Sequence, residues 1–300
     1  MANELAGLAS SSLATLSNNL AAVVERAGKS VVAVHARARF SSAGVIWGPG
    51  FIVTAEHTVR REEEITVTLP DGSDHPATLV GSDSGTDIAV LKLPASAGAP
   101  APLSSIEPRP GHLALAIGRS ENSGVNASLG IISAVSGSWR TWRGGRLDKY
   151  IRLDLTMYPS SSGAAVIDTE GGLIGIATSG LSRIAGLAIP ASTINRVADE
   201  ILSRGHVARG YLGVGLQPVT LSDHRKGLII LSVEREGPAD KAGLLVGDIL
   251  VSLGGKPTGD TGDVQTALES TLVGQPIEAG LLRGGEARSI SITIGERRRN

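Results

Sequence analysis

The sequence predicts a mainly β protein: two small antiparallel barrels followed by a smaller strand-rich unit that carries one helix. Three observations predict it. Short apolar runs separated by turn residues recur from residue 31 to residue 189, the texture of many short strands. Glycine makes up 39 of 300 residues without any low-complexity tract, as expected where tight turns join the strands. Cysteine is absent, so no disulfide framework or thiolate-bound metal substitutes for packing, and a composition of 41% hydrophobic and 19% charged residues suits a buried core.

The elements follow in order. Over residues 3–26, Leu5, Leu8, Leu13, Leu16, Leu20, Val23 and Val24 recur at helical spacing. Ser10, Ser11, Ser12, Asn18 and Asn19 are weak helix formers, so a docking or oligomerisation arm competes here with a loosely ordered tail. The same serines and asparagines interrupt any long apolar run, and the start lacks the basic residues of a signal peptide. Neither export by a signal peptide nor a membrane span is predicted. The placement expected is cytoplasmic for a complete chain, or periplasmic or otherwise extracytoplasmic if a leader has been removed.

Strand-like runs then occupy 31–34, 44–47, 51–54, 65–69, 77–80, 88–93, 113–117, 130–135, 150–155, 164–167, 173–178 and 185–189. Pro70-Asp71-Gly72 and Glu170-Gly171-Gly172 are hairpin turn signals, and the Ala-, Ser- and Pro-rich stretch 94–110 reads as the crossing between barrels. Ile194, Val197, Ala198, Ile201 and Leu202 predict a helix closed by Gly205. A boundary falls at 205–209, and the second unit offers strands at 212–216, 227–233, 249–253, 277–282 and 289–294 with a helix over 262–271. The domains expected are an N-terminal segment over 1–26, a first domain over 27–205 and a second over 206–300.

A net charge of -1 leaves no electrostatic footprint for nucleic acid, and the single basic run, Arg297-Arg298-Arg299, reads as a solvated tail. His35, His57, His75, His112, His206 and His224 lack the short spacings of zinc ligands, and no glycine loop with a following Lys-Ser or Lys-Thr cradles phosphate. No metal and no cofactor is expected. In Trp139-Arg140-Thr141-Trp142-Arg143, packing of one tryptophan competes with an exposed partner-contacting loop.

Three segments carry chemistry, in the order His, Asp, Ser. His57 ends the apolar run 51–54, Asp87 stands at the mouth of the apolar run Ile88-Ala89-Val90-Leu91, and Ser162 lies in the small-residue turn Pro159-Ser160-Ser161-Ser162-Gly163. A serine hydroxyl needs a neutral imidazole to take its proton and a carboxylate to hold that imidazole. Buried without a partner, Asp87 would be costly, so it calls for an imidazole; Asp83 reads instead as a turn residue. A free imidazole titrates near pH 6.5, so activity resting on this base should fall on acidification.

Together these segments resemble the HtrA group of trypsin-like serine proteases, from about residue 22 to residue 296. The resemblance is carried by Ala55-Glu56-His57-Thr58-Val59, Thr86-Asp87-Ile88-Ala89-Val90-Leu91-Lys92, the serine box, Leu129-Gly130-Ile131-Ile132-Ser133, Gly171-Gly172-Leu173-Ile174-Gly175-Ile176 and Gly186-Leu187-Ala188-Ile189-Pro190. It implies a double β-barrel protease followed by a PDZ domain, with His57, Asp87 and Ser162 catalytic and the amides of Ser160 and Ser162 as oxyanion donors. It implies a homotrimer as well, although the N-terminal segment lacks the aromatic residues that would stack in one. By the same resemblance the pocket walls include 179–181 and 183–187, which implies cleavage of unfolded or extended polypeptides after small or medium aliphatic residues; an Arg183 that invites acidic residues competes with one that faces solvent.

The serine box departs from the family's Gly-Asn-Ser-Gly-Gly: this chain has Ser160-Ser161-Ser162-Gly163-Ala164. Glycine at the first position can adopt positive φ, whereas a serine there pays about 1 kcal/mol or more. Losing one oxyanion donor costs on the order of 100- to 1000-fold in turnover. Reduced activity, or a scaffold that acts through peptide binding alone, is therefore the competing reading.

In the second unit Arg209-Gly210-Tyr211-Leu212-Gly213-Val214 and Gly237-Pro238-Ala239-Asp240-Lys241-Ala242-Gly243-Leu244-Leu245-Val246-Gly247-Asp248-Ile249-Leu250 resemble a PDZ domain of the family. Successive amides of Tyr211, Leu212, Gly213 and Val214 would receive a polypeptide C-terminus, the following strand would pair with it, and Val264 and Leu268 would line the groove.

Overall fold

The apolar runs become strands whose pairings close on themselves twice. The computed structural model describes residues 2–94, 98–120, 124–270 and 273–296; the basic run 297–299 lies outside the described residues. The first barrel comprises β1 (Val31–His35), β2 (Ser42–Gly48), β3 (Phe51–Ala55), β4 (Ile65–Thr68), β5 (Asp74–Asp83) and β6 (Ile88–Lys92), closed in the order β1-β2-β3-β6-β5-β4. The second comprises β7 (Leu113–Ser120), β8 (Gly124–Ser136), β9 (Tyr150–Asp154), β10 (Ala165–Ile167), β11 (Leu173–Thr178) and β12 (Gly186–Pro190), closed in the order β7-β8-β9-β12-β11-β10. Both barrels thus use the same winding, and closure leaves neither with a free edge.

Strands β1, β6 and β11 are buried along almost their whole length, which is why they read as continuous rather than alternating apolar runs. Val31, Val53, Val90, Ile117, Ile176 and Ile189 from the two barrels share one core cluster, so the barrels pack as one unit, Met1–Val207. Helix α2 (Ala191–Arg204) adds Ile194, Val197, Ala198 and Ile201 to that core. Gly205 ends it in the left-handed conformation at φ 80°, its N–H bonded to the Ile201 carbonyl, as the glycine after the apolar pattern predicts.

The N-terminal segment is a continuous helix, α1 (Ala2–Gly28), rather than a loose tail. Packing overrides its serine-rich composition: Val23 and Ala27 enter the first unit's core with Leu20 and Val24 against them, while Leu13 and Leu16 remain exposed. The buried Arg119 fastens the helix end by donating to the carbonyls of Gly28 and Val31 at 3.0 and 2.8 Å. No helix of the described residues is long and apolar enough to cross a membrane.

The second unit, Ala208–Asn300, is a six-stranded sheet with its own core. Its main strands β13 (Val214–Thr220), β14 (Lys226–Val233), β15 (Ile249–Leu253), β16 (Pro276–Arg283) and β17 (Glu286–Thr293) lie in sequence order, leaving β13 at an edge. Helix α3 (Thr261–Ser270) starts on a reciprocal cap in which Asp263 accepts from the Gly259 and Asp260 amides and Asp260 accepts from the Asp263 amide.

The buried Asp248 carboxylate accepts from Arg283 Nε at 2.8 Å and Nη2 at 2.7 Å and from the Leu245 amide at 2.8 Å. The Arg283 hydrogen bonds hold its pKa below the ordinary carboxylate value. A carboxyl whose pKa is depressed on folding stabilises above its unfolded pKa, about 3.9, and loses that contribution as pH falls through the folded value. Asp248→Asn should therefore lower the urea midpoint of the second unit at pH 7, and the variant and parent curves should draw together as pH falls through the depressed pKa of the folded carboxyl.

Candidate active site

His57 lies in a 3-10 turn, Glu56–Thr58, that directly follows β3. Buried Thr58 ties the turn down by donating to the Ala55 carbonyl at 2.7 Å, with the Ser42 hydroxyl 3.0 Å from the Thr58 oxygen. The Glu56 amide reaches across to the Asp87 carbonyl at 3.1 Å, so the ends of β3 and β6 are joined before any side chain is considered.

Asp87 is fully buried at the foot of β6 with φ 61°, a left-handed conformation that Asp tolerates better than most residues. Asp83 builds the turn that delivers it, its carboxylate accepting from the Gly85 and Thr86 amides at 3.4 and 3.0 Å and from the Thr86 hydroxyl at 2.7 Å. Thr141 braces the same turn through a 2.7 Å bond to the Gly85 carbonyl.

The Asp87 carboxylate receives the His57 amide at 2.8 Å, the His57 Nδ1 at 2.8 and 3.0 Å, and the Thr178 hydroxyl. An ionised carboxylate only accepts, so Nδ1 carries the proton and Nε2 keeps its lone pair for use as a base. Thr178 ends β11, and no pattern in the sequence marks it out. Its signature is the burial of one hydroxyl at the end of a fully buried strand. The next two residues also serve the site. A Cβ on Gly180 would stand 2.5 Å from His57 Nδ1 and 2.8 Å from Asp87 Oδ2, so only glycine lets the chain pass this close. Ser179 Oγ lies 3.2 Å from Ser162 Oγ.

Ser162 is 4% exposed, in a loop anchored by the Ala43 amide, which donates to the carbonyls of Ser160 and Ser162, both at 3.1 Å. The sequence-predicted residues are thus brought together unequally: His57 and Asp87 are bonded, while the Ser162 hydroxyl pairs with Ser179 and makes no hydrogen bond to His57. Neither the Ser160 nor the Ser162 amide has a hydrogen-bond acceptor among the described residues.

Ser160 does not carry the strain expected of it. Among the described residues the non-glycine residues with positive φ are Glu64, Asp87, His224 and Glu236, and Ser160 is not one of them. The Ser161 amide donates to the Tyr158 carbonyl at 2.8 Å, so Tyr158-Pro159-Ser160-Ser161 is a type I turn, the form that accepts a serine at its third position.

Beside the cleft, Leu181 and Leu187 are buried, and Gly186 packs on Met157, whose Cγ would lie 2.9 Å from a Cβ there. Arg183 and Ile184 are exposed. Trp139 packs edge-on against Tyr150 with ring centroids 5.2 Å apart, while Trp142 is exposed under the Arg143 guanidinium, which also pairs with Glu56 at 3.6 Å.

In the second unit Gly210–Tyr211 pairs with Gly295–Glu296. The Leu212 and Gly213 carbonyls accept from the Ala239 and Glu234 amides at 2.9 and 2.8 Å, and the Tyr211 hydroxyl donates to the Glu234 carboxylate. Val214 opens the edge strand β13. Val264 is packed into the core at 5% exposure, and Leu268 lies partly buried against it.

Residues 42–176 match the trypsin-like peptidase domain family and residues 210–294 the PDZ domain family. The chain is 32% identical over 273 residues to a probable periplasmic serine endoprotease, DegP-like, of Halomonas elongata, covering 87% of this chain and 57% of that protein. It is 32% identical over 311 residues to the serine endoprotease DegS of Escherichia coli K12, covering 93% of this chain and 86% of that protein. The chain thus spans about half the length of the DegP-like relatives it matches. The solved structure of the HtrA-type protease AlgW with a decapeptide superposes with a TM-score of 0.78 at 29% identity, covering 94% of this chain and 99% of that one.

The closeness of Gly180 to the imidazole gives a test of the site. Gly180→Ala should displace His57 and lower Ser162 reactivity about 100-fold, as expected for a misplacement of about 1 Å. The measurement is the labelling rate with a fluorophosphonate, read beside the imidazole Nδ1–H resonance, which should move from its carboxylate-bonded position.

Proposed function

Because the chain belongs to the HtrA family of trypsin-like serine proteases, with a PDZ domain after the protease domain, we propose that it is a serine endopeptidase acting on unfolded or extended polypeptides. The observation that carries this is the fully satisfied Asp87 carboxylate, whose donors fix the His57 tautomer and leave Nε2 as the base. In this reading Nε2 takes the Ser162 proton as Oγ attacks the scissile carbonyl, and an acyl-enzyme forms as the same proton passes to the leaving amine. Water repeats the sequence to release the acid. The amides of Ser160 and Ser162 receive the oxyanion, Ser160 only after the Pro159–Ser160 peptide turns.

Preference for small or medium aliphatic residues before the scissile bond is supported by the apolar Leu181, Leu187 and Met157 and by the absence of any Asp or Glu in 179–187. The second unit would recruit polypeptide C-termini: the amides of Tyr211 to Val214 would receive the carboxylate and the free edge of β13 the added strand. Val264 and Leu268 would flank that groove from α3. Homotrimeric assembly goes with the family, and the periplasmic naming of the relatives favours an extracytoplasmic placement over a cytoplasmic one.

A second reading has a specific observation behind it: Ser162 bonded to Ser179, next to a serine at position 160, would suit a barrel retained as a scaffold for peptide binding. Labelling with a fluorophosphonate and digestion of casein separate the two. The proposal expects slow labelling and slow digestion in the parent, both absent in Ser162→Ala; an unlabelled parent, with or without a C-terminal peptide, supports the scaffold. Digestion should also decline on acidification, because a protonated imidazole cannot accept the serine proton. A flat profile would exclude His57 as the base.

A further inference from the structure

Arg37, in the loop between β1 and β2, is half-buried and folds back over its own loop, donating to the Phe40 carbonyl at 2.8 Å and the Ser41 carbonyl at 3.2 Å. The same guanidinium crosses 122 positions of sequence to donate to the Pro159 carbonyl at 2.7 Å. Burial and the neighbouring Arg60 lower its pKa from the ordinary arginine value, but an arginine stays charged in a protein, so the contact is charge-assisted.

The Pro159 carbonyl belongs to the peptide whose N–H is that of Ser160. All peptide bonds among the described residues are trans, so carbonyl and N–H point in opposite directions and whatever holds one aims the other. Type I and type II turns share their end residues but differ in this middle peptide. Between them ψ at the second residue goes from about −30° to about +120° and φ at the third from about −90° to about +80°, a rotation of roughly half a turn. Glycine at the third position of the family's serine box suits the positive φ; this chain holds the other form, with Arg37 bonded to its carbonyl.

We propose that Arg37 is a latch on the Pro159–Ser160 peptide: it holds the turn in its type I form, with the Ser160 N–H turned from the place of the oxyanion, and so sets the resting activity of Ser162. The inference rests on the reading of Ser162 as nucleophile with Ser160 and Ser162 as oxyanion donors. Arg37 is a positioning residue, acting through a peptide it does not share with the substrate. Ser162 parked on Ser179 instead of His57 belongs to the same resting arrangement.

The test uses the full chain as the parent, Arg37→Met, Arg37→Lys and Ser160→Gly. Fluorophosphonate labelling rates are read with kcat and KM on casein-derived peptide. Arg37→Met keeps the side-chain stem but loses the donors, and it should label about 3- to 10-fold faster than the parent, the range for one net hydrogen bond at a solvent-exposed site. The gain should appear in kcat with KM nearly unchanged. Ser160→Gly should also be faster, because glycine admits the positive φ of the turned form. Arg37→Lys, with its single point of donation, should fall between parent and Met variant, and it carries the test if the Met variant does not fold. A brace of purely structural kind predicts the opposite sign, since loosening the loop would only slow the enzyme. The latch is overturned if Ser160→Gly is faster while both Arg37 variants match or trail the parent, and the triad reading survives that outcome. Absence of labelling in every protein, Ser160→Gly included, removes the triad reading and the latch with it.

Discussion

The arrangement of this protease domain depends on one buried carboxylate. Asp87 has no access to water, and an isolated ionised carboxylate in that position would take up a proton or unfold its surroundings. It is kept by donors from two separated parts of the chain: the amide and imidazole of His57 from the first barrel and the Thr178 hydroxyl from the second. Each barrel supplies what the other lacks, so the cleft exists only when the barrels are packed together. The shared core of Val31, Val53, Ile117, Ile176 and Ile189 therefore counts among the conditions for the chemistry.

Much of this was legible in the sequence, and what was not has a physical reason. Strands buried on both sides had to be continuous apolar runs, so β1, β6 and β11 could be read directly, and Gly205 marked the end of α2 because a left-handed cap favours glycine. His57, Asp87 and Ser162 stood out by their order and by the strands that precede or follow them. Asp83 could be set aside because its spacing to Thr86 suits a turn, the role it has. The fate of the N-terminal segment was less legible. Serine and asparagine argue against a helix, and the contacts that override them, Val23 and Ala27 in the core and Arg119 on the helix end, come from residues far along the chain.

The same distinction separates the legible part of the site from the rest. Thr178, Ser179 and Arg37 act through single hydrogen bonds to partners 91, 17 and 122 positions away, and a hydroxyl or guanidinium carries no sign of which distant atom it will meet. Ser160 is intermediate. Its departure from glycine was visible at once, but the expected consequence was strain at a positive φ. The chain instead takes the turn form that a serine accommodates, exchanging a backbone penalty for a displaced donor.

That exchange fixes how the active and resting arrangements compare. The steps between them are few: the Pro159–Ser160 peptide turns, Ser160 takes on positive φ at about 1 kcal/mol or more, a charge-assisted bond is given up, and Ser162 moves from Ser179 to His57. The last step replaces one neutral hydrogen bond by another and is nearly even. The sum is a gap of a few kcal/mol, which corresponds to a competent population on the order of 0.1–10%. Binding energy from an extended polypeptide can close such a gap only if the substrate contacts the two arrangements differently, and the oxyanion itself supplies that difference, because only the turned peptide offers it a second amide. On the proposed reading such a site would be slow by population rather than by defective chemistry, with His57 already bonded to Asp87 while the serine loop waits.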